Sequence, residues 1–313
     1  VVASLASRPL AAQGAAEGQL CTRAGNRTTG AEARGRLQQL AAGSGPVADY
    51  ARGCLAMADD RFGPAADAFE KAAGAAPQSA VAQFWLGQAY GAQAQRANVL
   101  KQASLARKTK GAFERAVQLD PDDLDAREGL IQYYLLAPGF MGGSEAKARE
   151  QAAEIRRRNA YRGAYASATV LQHAKDWAGV ARELEPLTRQ YPDSIAPWQS
   201  LAATQGRQGR WDDAWATLDR MTAALKGAPI TDYMAGRLAA ESGTRLDRGV
   251  SALERYPQHR PARTEPSLAA ARWRLGAIRQ RQGQKDAART EYQTALQLDP
   301  EFRPAREALE KLR

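Results

Sequence analysis

The sequence predicts an all-α protein, a stack of helix-turn-helix repeats closed by a C-terminal capping helix. Three observations carry that reading. A pattern of small and bulky residues recurs along the chain, most completely in Leu275-Gly276 followed by GQKDAARTEYQTALQLDP, and again around Gly209-Arg210-Trp211-Asp212-Asp213-Ala214. Alanine is about a fifth of the 313 residues, beside 27 Gly and 15 Pro, a composition suited to closely packed helices punctuated by turns. Mean hydropathy is −0.53 and no apolar run approaches the ~18 residues that span a bilayer, so no transmembrane helix is expected.

Counted from Ala269, the residues Leu275, Gly276, Gly283, Ala288, Tyr292, Ala295 and Pro300 stand at positions 7, 8, 15, 20, 24, 27 and 32 of one unit. This resembles the tetratricopeptide repeat, a helix-turn-helix of about 34 residues. In that repeat small residues at positions 8, 20 and 27 let two helices approach, and bulky residues fill the gap. The resemblance implies a right-handed α-solenoid of about seven units. LLAPGFMGGS, at 135–144, and the general arrangement also look like bacterial exported repeat proteins of ill-defined function.

From the N-terminus, Val-Val-Ala-Ser-Leu-Ala running into Ala11-Ala12-Gln13-Gly14-Ala15-Ala16 reads as the end of a secretory signal, so residues 1–17 are expected to be a signal remnant or disordered. Residues 18–45 are expected to form an N-terminal helical cap of one or two helices. The solenoid is assigned to 46–313. Its first repeat starts near 46, with Gly53 at position 8 and Ala65, Phe69, Ala72 and Pro77 in its second helix. The repeat from 80 carries Leu86, Gly87 and Tyr90 but reaches Phe113, Ala116 and Pro121 ten residues late. The extra stretch, ANVLKQASLARKTKG, contains no Pro and predicts longer helices or an added turn instead of a loose loop. The unit from 124 is interrupted by Ala137-Pro138-Gly139-Phe140-Met141-Gly142-Gly143, after which Ser144 is placed to cap a helix to about Asn159. Units follow from 161 (Asp176-Trp177, Leu184, Pro192), 195 (Trp198, Leu201, Leu218) and 229 (Tyr233, Gly236, and a short second helix ending at Tyr256-Pro257). The last repeat starts at 269, and residues 304–313 supply the polar cap a solenoid needs.

Charge and cysteine bound the partners. Forty-four Lys and Arg against 34 Asp and Glu give +10, and only nine of the cations are Lys. Such a balance favours acidic partners, but an Arg- and Ala-rich, Lys-poor chain is also what a GC-rich genome produces. The cations are spread out except at Arg156, Arg157, Arg158 and Arg162, and at Arg272, Arg274, Arg279 and Arg281. Cys21 and Cys54, the two cysteines, are a candidate disulfide if the protein is exported, the alternative being two thiols.

Catalytic signatures fail. His173 and His259 are the two histidines, no Cys-x-x-Cys or His-Glu-x-x-His spacing occurs, and no serine has a nucleophile-elbow context, so no metal, no cofactor and no enzyme activity are expected. Gly139-Phe140-Met141-Gly142-Gly143-Ser144 lacks the Gly-Lys-Ser/Thr of a phosphate loop and reads as a turn.

Binding is the expectation the resemblance carries. Stacked repeats leave a concave face lined by first helices, and in related repeats positions 2, 5, 9 and 12 face it. Position 5 reads Tyr50, Phe84, Glu128, Tyr165, Gln199, Tyr233 and Trp273. Companions on that face are Gln88, Gln132, Arg162, Thr169, Arg237, Arg274 and Arg281. Rings and guanidinium groups are the residue types enriched at interface hot spots. The alternative is that the rings pack against neighbouring repeats, and a one-position slip in frame turns a residue by about 100° out of the groove. The Lys and Asn of the carboxylate-clamping, chaperone-binding subgroup are missing at positions 5 and 9. The expected function is therefore a non-enzymatic protein- or peptide-binding scaffold, periplasmic or secreted from a bacterium, with a cytoplasmic location as the alternative. Two other readings stay open: binding of nucleic acid or another anionic polymer through the basic surface, which no recognition motif supports, and service as accessory subunit of an enzyme complex.

Overall fold

The computed structural model describes residues 19–25, 30–258 and 265–312. Within them no strand occurs, and α-helices follow one another in packed pairs. The chain divides into two compact units, Val1–His173 and Ala174–Arg313. The first unit contains α1 (19–24), α2 (Gly30–Ala41), α3 (Pro46–Ala58), α4 (Phe62–Ala75), α5 (Ala80–Arg96), α6 (Val99–Leu119), α7 (Leu124–Leu136), α8 (Glu145–Arg158) and α9 (Ala160–His173). From α2 onward each helix packs on the next, and α3, α5, α7 and α9 also touch in succession. That second set of contacts puts the first helices of the repeats side by side.

The second unit contains α10 (Trp177–Gln190), α11 (Ile195–Arg207), α12 (Trp211–Ala224), α13 (Pro229–Ser242), α14 (Leu246–Arg255), α15 (Leu268–Arg281), α16 (Lys285–Leu298) and α17 (Arg303–Lys311). It packs in the same way, with α11 on α13 and α13 on α15. Its core gathers Trp198, Trp215, Met221, Met234, Leu253, Tyr256 and Leu275, and α16 and α17 close the end around Tyr292 and Ala305. The division falls inside the repeat expected from 161: α9 belongs to one unit and α10 opens the other. The sequence marks no boundary there. Locally, α9 is seated on α8, since a β-carbon on Gly163 would lie 2.3 Å from Arg156 Cα.

Two local rules explain most of the repeat geometry. A missing side chain at position 8 receives the bulky residue of the second helix. A β-carbon on Gly53 would lie 2.6 Å from the Phe69 ring, one on Gly87 2.7 Å from Phe113, and one on Gly276 2.6 Å from Tyr292. In the repeat from 229 the same space at Gly236 is taken by Leu253, one residue later than the frame places it. The second rule concerns the turn at position 15, where the backbone is left-handed at Asp60, Lys175, Gly209, Gly243 and Gly283. Glycine adopts that conformation without a steric penalty and the other two do not.

Helix starts are fixed by side-chain caps: Ser79 accepts from the Ala82 amide, Asn98 from Lys101, Asp123 from Ala126, Ser144 from Lys147, Asp176 from Gly179 and Ser267 from Ala270. The insertion after residue 92 lengthens α5 and α6, which Ala97 and the Asn98 cap join directly. The interruption at 137–143 contains one 3-10 turn, Gly139–Met141. It is tightly built: Tyr133 Oη donates to Met141 O at 2.5 Å, Ser144 N donates to Tyr134 O at 2.9 Å, and a β-carbon on Gly143 would collide with Ala137 O at 1.7 Å. The turn leaves Phe140 90% exposed. Among the described residues between 18 and 45, 19–24 and Gly30–Ala41 form α1 and α2. The expected signal remnant at 1–17 and His259 lie outside the described residues.

Candidate functional site

In the first unit a cavity of about 960 Å³ opens where the N-terminal ends of α5 and α7 meet α1 and the start of α9. Val81, Phe84 and Trp85 of α5, with Leu119 and Leu124, give it apolar walls. Gln19, Thr22 and Arg23 of α1 form another side, and Asp120, Asp122, Asp123, Asp125 and Arg162 the polar remainder. The wall made by α1 is covalently held: Cys21 and Cys54 form a disulfide with Cα atoms 4.9 Å apart, tying α1 to α3. Both cysteines are buried beside Leu37, Tyr50 and Phe69.

The rings are fixed by their neighbours. Phe84 stands edge-on to Trp85 at 5.4 Å and packs on Phe113 at 6.0 Å, and Trp85 stacks on Phe69 at 6.3 Å. Two of the four aspartates are committed to ion pairs: Arg158 Nε holds Asp122 at 2.7 Å, and Arg162 binds both Asp125 and Glu128. Asp120 accepts the Asp122 amide at 3.0 Å and Asp123 caps α7 on the Ala126 amide at 2.9 Å. Among the described residues neither of these two has a cationic partner. Burial raises the Asp123 carboxyl above the usual carboxylate range; nearby Asp125 and Asp120 push the same way against the Ala126 amide.

The expected groove residues divide between the cavity, other half-buried positions and the core. Phe84 and Arg162 line the cavity. Gln88 is half-buried one turn further along α5, Gln132 is exposed on α7, and both lie outside the lining. Tyr165 is half-buried against Tyr161 at 5.2 Å, and Thr169 Oγ1 turns inward to donate to the Tyr165 carbonyl at 3.0 Å. Tyr50 is a correction: it is 1% exposed and packs on Phe69 at 5.6 Å. Lying one turn before Gly53 and Cys54, it shares their buried face, so its ring fills the core and not a groove.

In the second unit Tyr233 is half-buried on Tyr256 at 5.6 Å. Trp273 is held by Phe302 at 6.1 Å, with the Arg274 guanidinium 4.5 Å over its ring. Arg237 and Arg274 share the Glu241 carboxylate at 3.0 and 3.1 Å, and Arg281 donates to the Glu241 carbonyl at 3.3 Å. Sequence reasoning missed the aspartates at 120–125 and the part played by α1. The Asp-Pro-Asp-Asp-Leu-Asp run was visible, but its meeting with α1 depends on tertiary contacts.

The basic clusters are also engaged within the chain. Arg156 donates to Ser167 Oγ, Arg157 pairs with Glu154, and Arg158 with Asp122 and Glu154. Arg272 pairs with Glu291 and Arg279 with Glu254. Among the described residues no helix is long and apolar enough to cross a membrane, and no His, Cys, Asp and Glu group could hold a metal.

Residues 269–302 match the tetratricopeptide-repeat family model. No curated protein matches the chain. Among solved structures it is similar to a tetratricopeptide repeat protein from Parabacteroides merdae, at 12% identity and a TM-score of 0.53, covering 84% of this chain and 97% of that one. It is also similar to yeast Tom70, at 13% identity and a TM-score of 0.59, covering 86% of this chain and 56% of that one. The chain thus spans little more than half the length of that second protein. The family match thus covers residues 269–302, and the likeness to these two solved structures shows that the chain has their helical-repeat fold.

Proposed function

We propose that the protein is a non-enzymatic scaffold that binds a peptide segment of a partner protein on the first-helix face of its first unit. The observation that carries this reading is the cavity of about 960 Å³ walled by Phe84 and Trp85. Its size is in the range of pockets that enclose small ligands or several side chains, roughly 300–1,000 Å³. Its rings are held in place by packing, so little conformational entropy is lost when a ligand settles on them.

Export from a bacterial cytoplasm is part of the proposal, and the disulfide between Cys21 and Cys54 supports it, because such bonds persist in oxidising compartments. Acid-quenched cells treated with a thiol reagent should leave both cysteines unlabelled; labelling of either in living cells would place the protein in a reducing compartment. The anionic-polymer alternative draws little support, since the arginines that motivated it are paired with carboxylates or a hydroxyl of the same chain.

The test is site-specific cross-linking. A photoreactive phenylalanine analogue at Phe84, in cells expressing the full chain, should give a discrete protein adduct. The same analogue at exposed Gln118 of α6 should not. Identical adducts from both positions, or none from Phe84, would remove the groove from the proposal.

A further inference from the structure

We infer that the first-unit cavity selects a basic peptide segment: a lysine or arginine side chain enters at Asp120 and Asp123, its methylene stem lying along Phe84, Trp85 and Leu124. This rests on the scaffold reading above and names the chemistry of the partner. The lining carries four carboxylates against two cations, Arg23 and Arg162. Asp122 and Asp125 are already neutralised by Arg158 and Arg162, whereas Asp120 and Asp123 accept backbone amides. Two carboxylates close together without a counter-charge repel each other, and a cation placed beside both relieves that repulsion. Charge complementarity therefore calls for a positive group at this end of the cavity.

The apolar wall decides what kind of cation. A metal ion needs several converging ligands, and among the described residues none of the carboxylate groups has that arrangement. An ammonium or guanidinium group on an aliphatic stem instead uses both surfaces, the head on carboxylate oxygens and the stem on apolar side chains. The two rings add an attraction for the charge itself. The cavity, at about 960 Å³, has room for several peptide residues where a bare ion would leave it almost empty. The preference is local, because the chain as a whole carries +10 and repels basic peptides elsewhere.

The substitutions Asp120→Asn and Asp123→Asn test this cleanly. Asparagine keeps the side-chain carbonyl that accepts the amides of Asp122 and Ala126, and it is as good an N-cap as aspartate, so only charge is lost. Fluorescence anisotropy is read with three labelled peptides of the form acetyl-Gly-X-Leu-X-Leu-X-Gly-amide, X being Lys, Gln or Glu, on the full chain and on the double variant. The native chain should bind the Lys peptide at least about tenfold tighter than the Gln peptide, and the Glu peptide weakest. The double variant should lose that preference, bind the Gln peptide as before and keep its melting temperature. A Lys preference that survives in the double variant, a preference for the Glu peptide, or displacement of the Lys peptide by magnesium at matched ionic strength would overturn the inference. Cross-linking from Phe84 separates the two levels. If the adduct forms in the double variant as in the native chain, and no Lys preference exists, the scaffold reading stands and the basic-peptide inference falls. If neither peptide binding nor an adduct is seen in the native chain, both fall.

Discussion

A single atom sets the distance between the two helices of a repeat. With hydrogen at position 8, a phenylalanine or tyrosine ring of the second helix lies against the backbone of the first, as Tyr292 does at Gly276. Gly276→Ala would place a methyl 2.6 Å from that ring, on a residue that is 2% exposed and whose hydroxyl is tied to Gln280 at 2.9 Å. Relief requires the helices to part, and overpacking of this kind costs about 1–3 kcal/mol. Urea denaturation of Gly276→Ala should show that loss; an unchanged midpoint would mean that α15 and α16 adjust freely. The left-handed turn residues are the second single-residue constraint, and Lys175 and Asp60 show that the fold imposes this conformation even where the sequence offers no glycine. Tyr50 illustrates the limit of such reading, since Gly53 and Asp60 keep the frame of this repeat and the position-5 ring is still buried in one core with Cys21, Leu37 and Phe69.

At the scale of elements, α1 is the part of the cavity wall held by a covalent cross-link. The Cys21–Cys54 bond anchors it to α3 across 33 residues of sequence. Cross-linking a loop of that size removes denatured-state entropy worth about 3–4 kcal/mol. A Cys21→Ser/Cys54→Ser variant should therefore lose amide protection at 19–24 and 30–41 first in hydrogen exchange. Protection within Ala174–Arg313 should hold. Protection of 19–24 equal to the native chain would show that packing alone seats α1. The same unit is linked further along by Glu70 of α4, which accepts from Tyr90 Oη of α5 and Lys108 Nζ of α6, so three successive helices share one carboxylate. The Tyr90 hydroxyl holds the Glu70 carboxyl below its ordinary range.

Across the whole molecule, buried tyrosines couple stability to alkaline pH. Burial first, and then neighbouring carboxylates, push the hydroxyls of Tyr134 and Tyr256 up to about 12 from an ordinary 10 and raise Tyr90 and Tyr133 as well, while burial alone raises Tyr292. For an acid whose folded value lies above its unfolded one, the stabilisation is complete below the unfolded value. It is lost as pH rises through the folded one. Stability should thus fall between about pH 10 and 12, and less steeply in Tyr134→Phe or Tyr256→Phe. Urea midpoints followed alongside tyrosinate absorbance would report it. Tyrosines that titrate as free phenols in the folded chain would refute it.

The sequence by itself determined the local and periodic part of this protein. The small–bulky spacing, the cap at Ser144 and the turn glycines Gly209 and Gly283 are short-range constraints, so helix order and fold were legible in it. The site was legible only in part: Phe84 and Arg162 were in view, whereas the meeting of α1 with Asp120 and Asp123, the burial of Tyr50 and the division after His173 were not. Only the tertiary structure decided those, because they depend on how residues tens of positions apart are brought together, and neither helical period nor residue type records which side of a helix finds a neighbour.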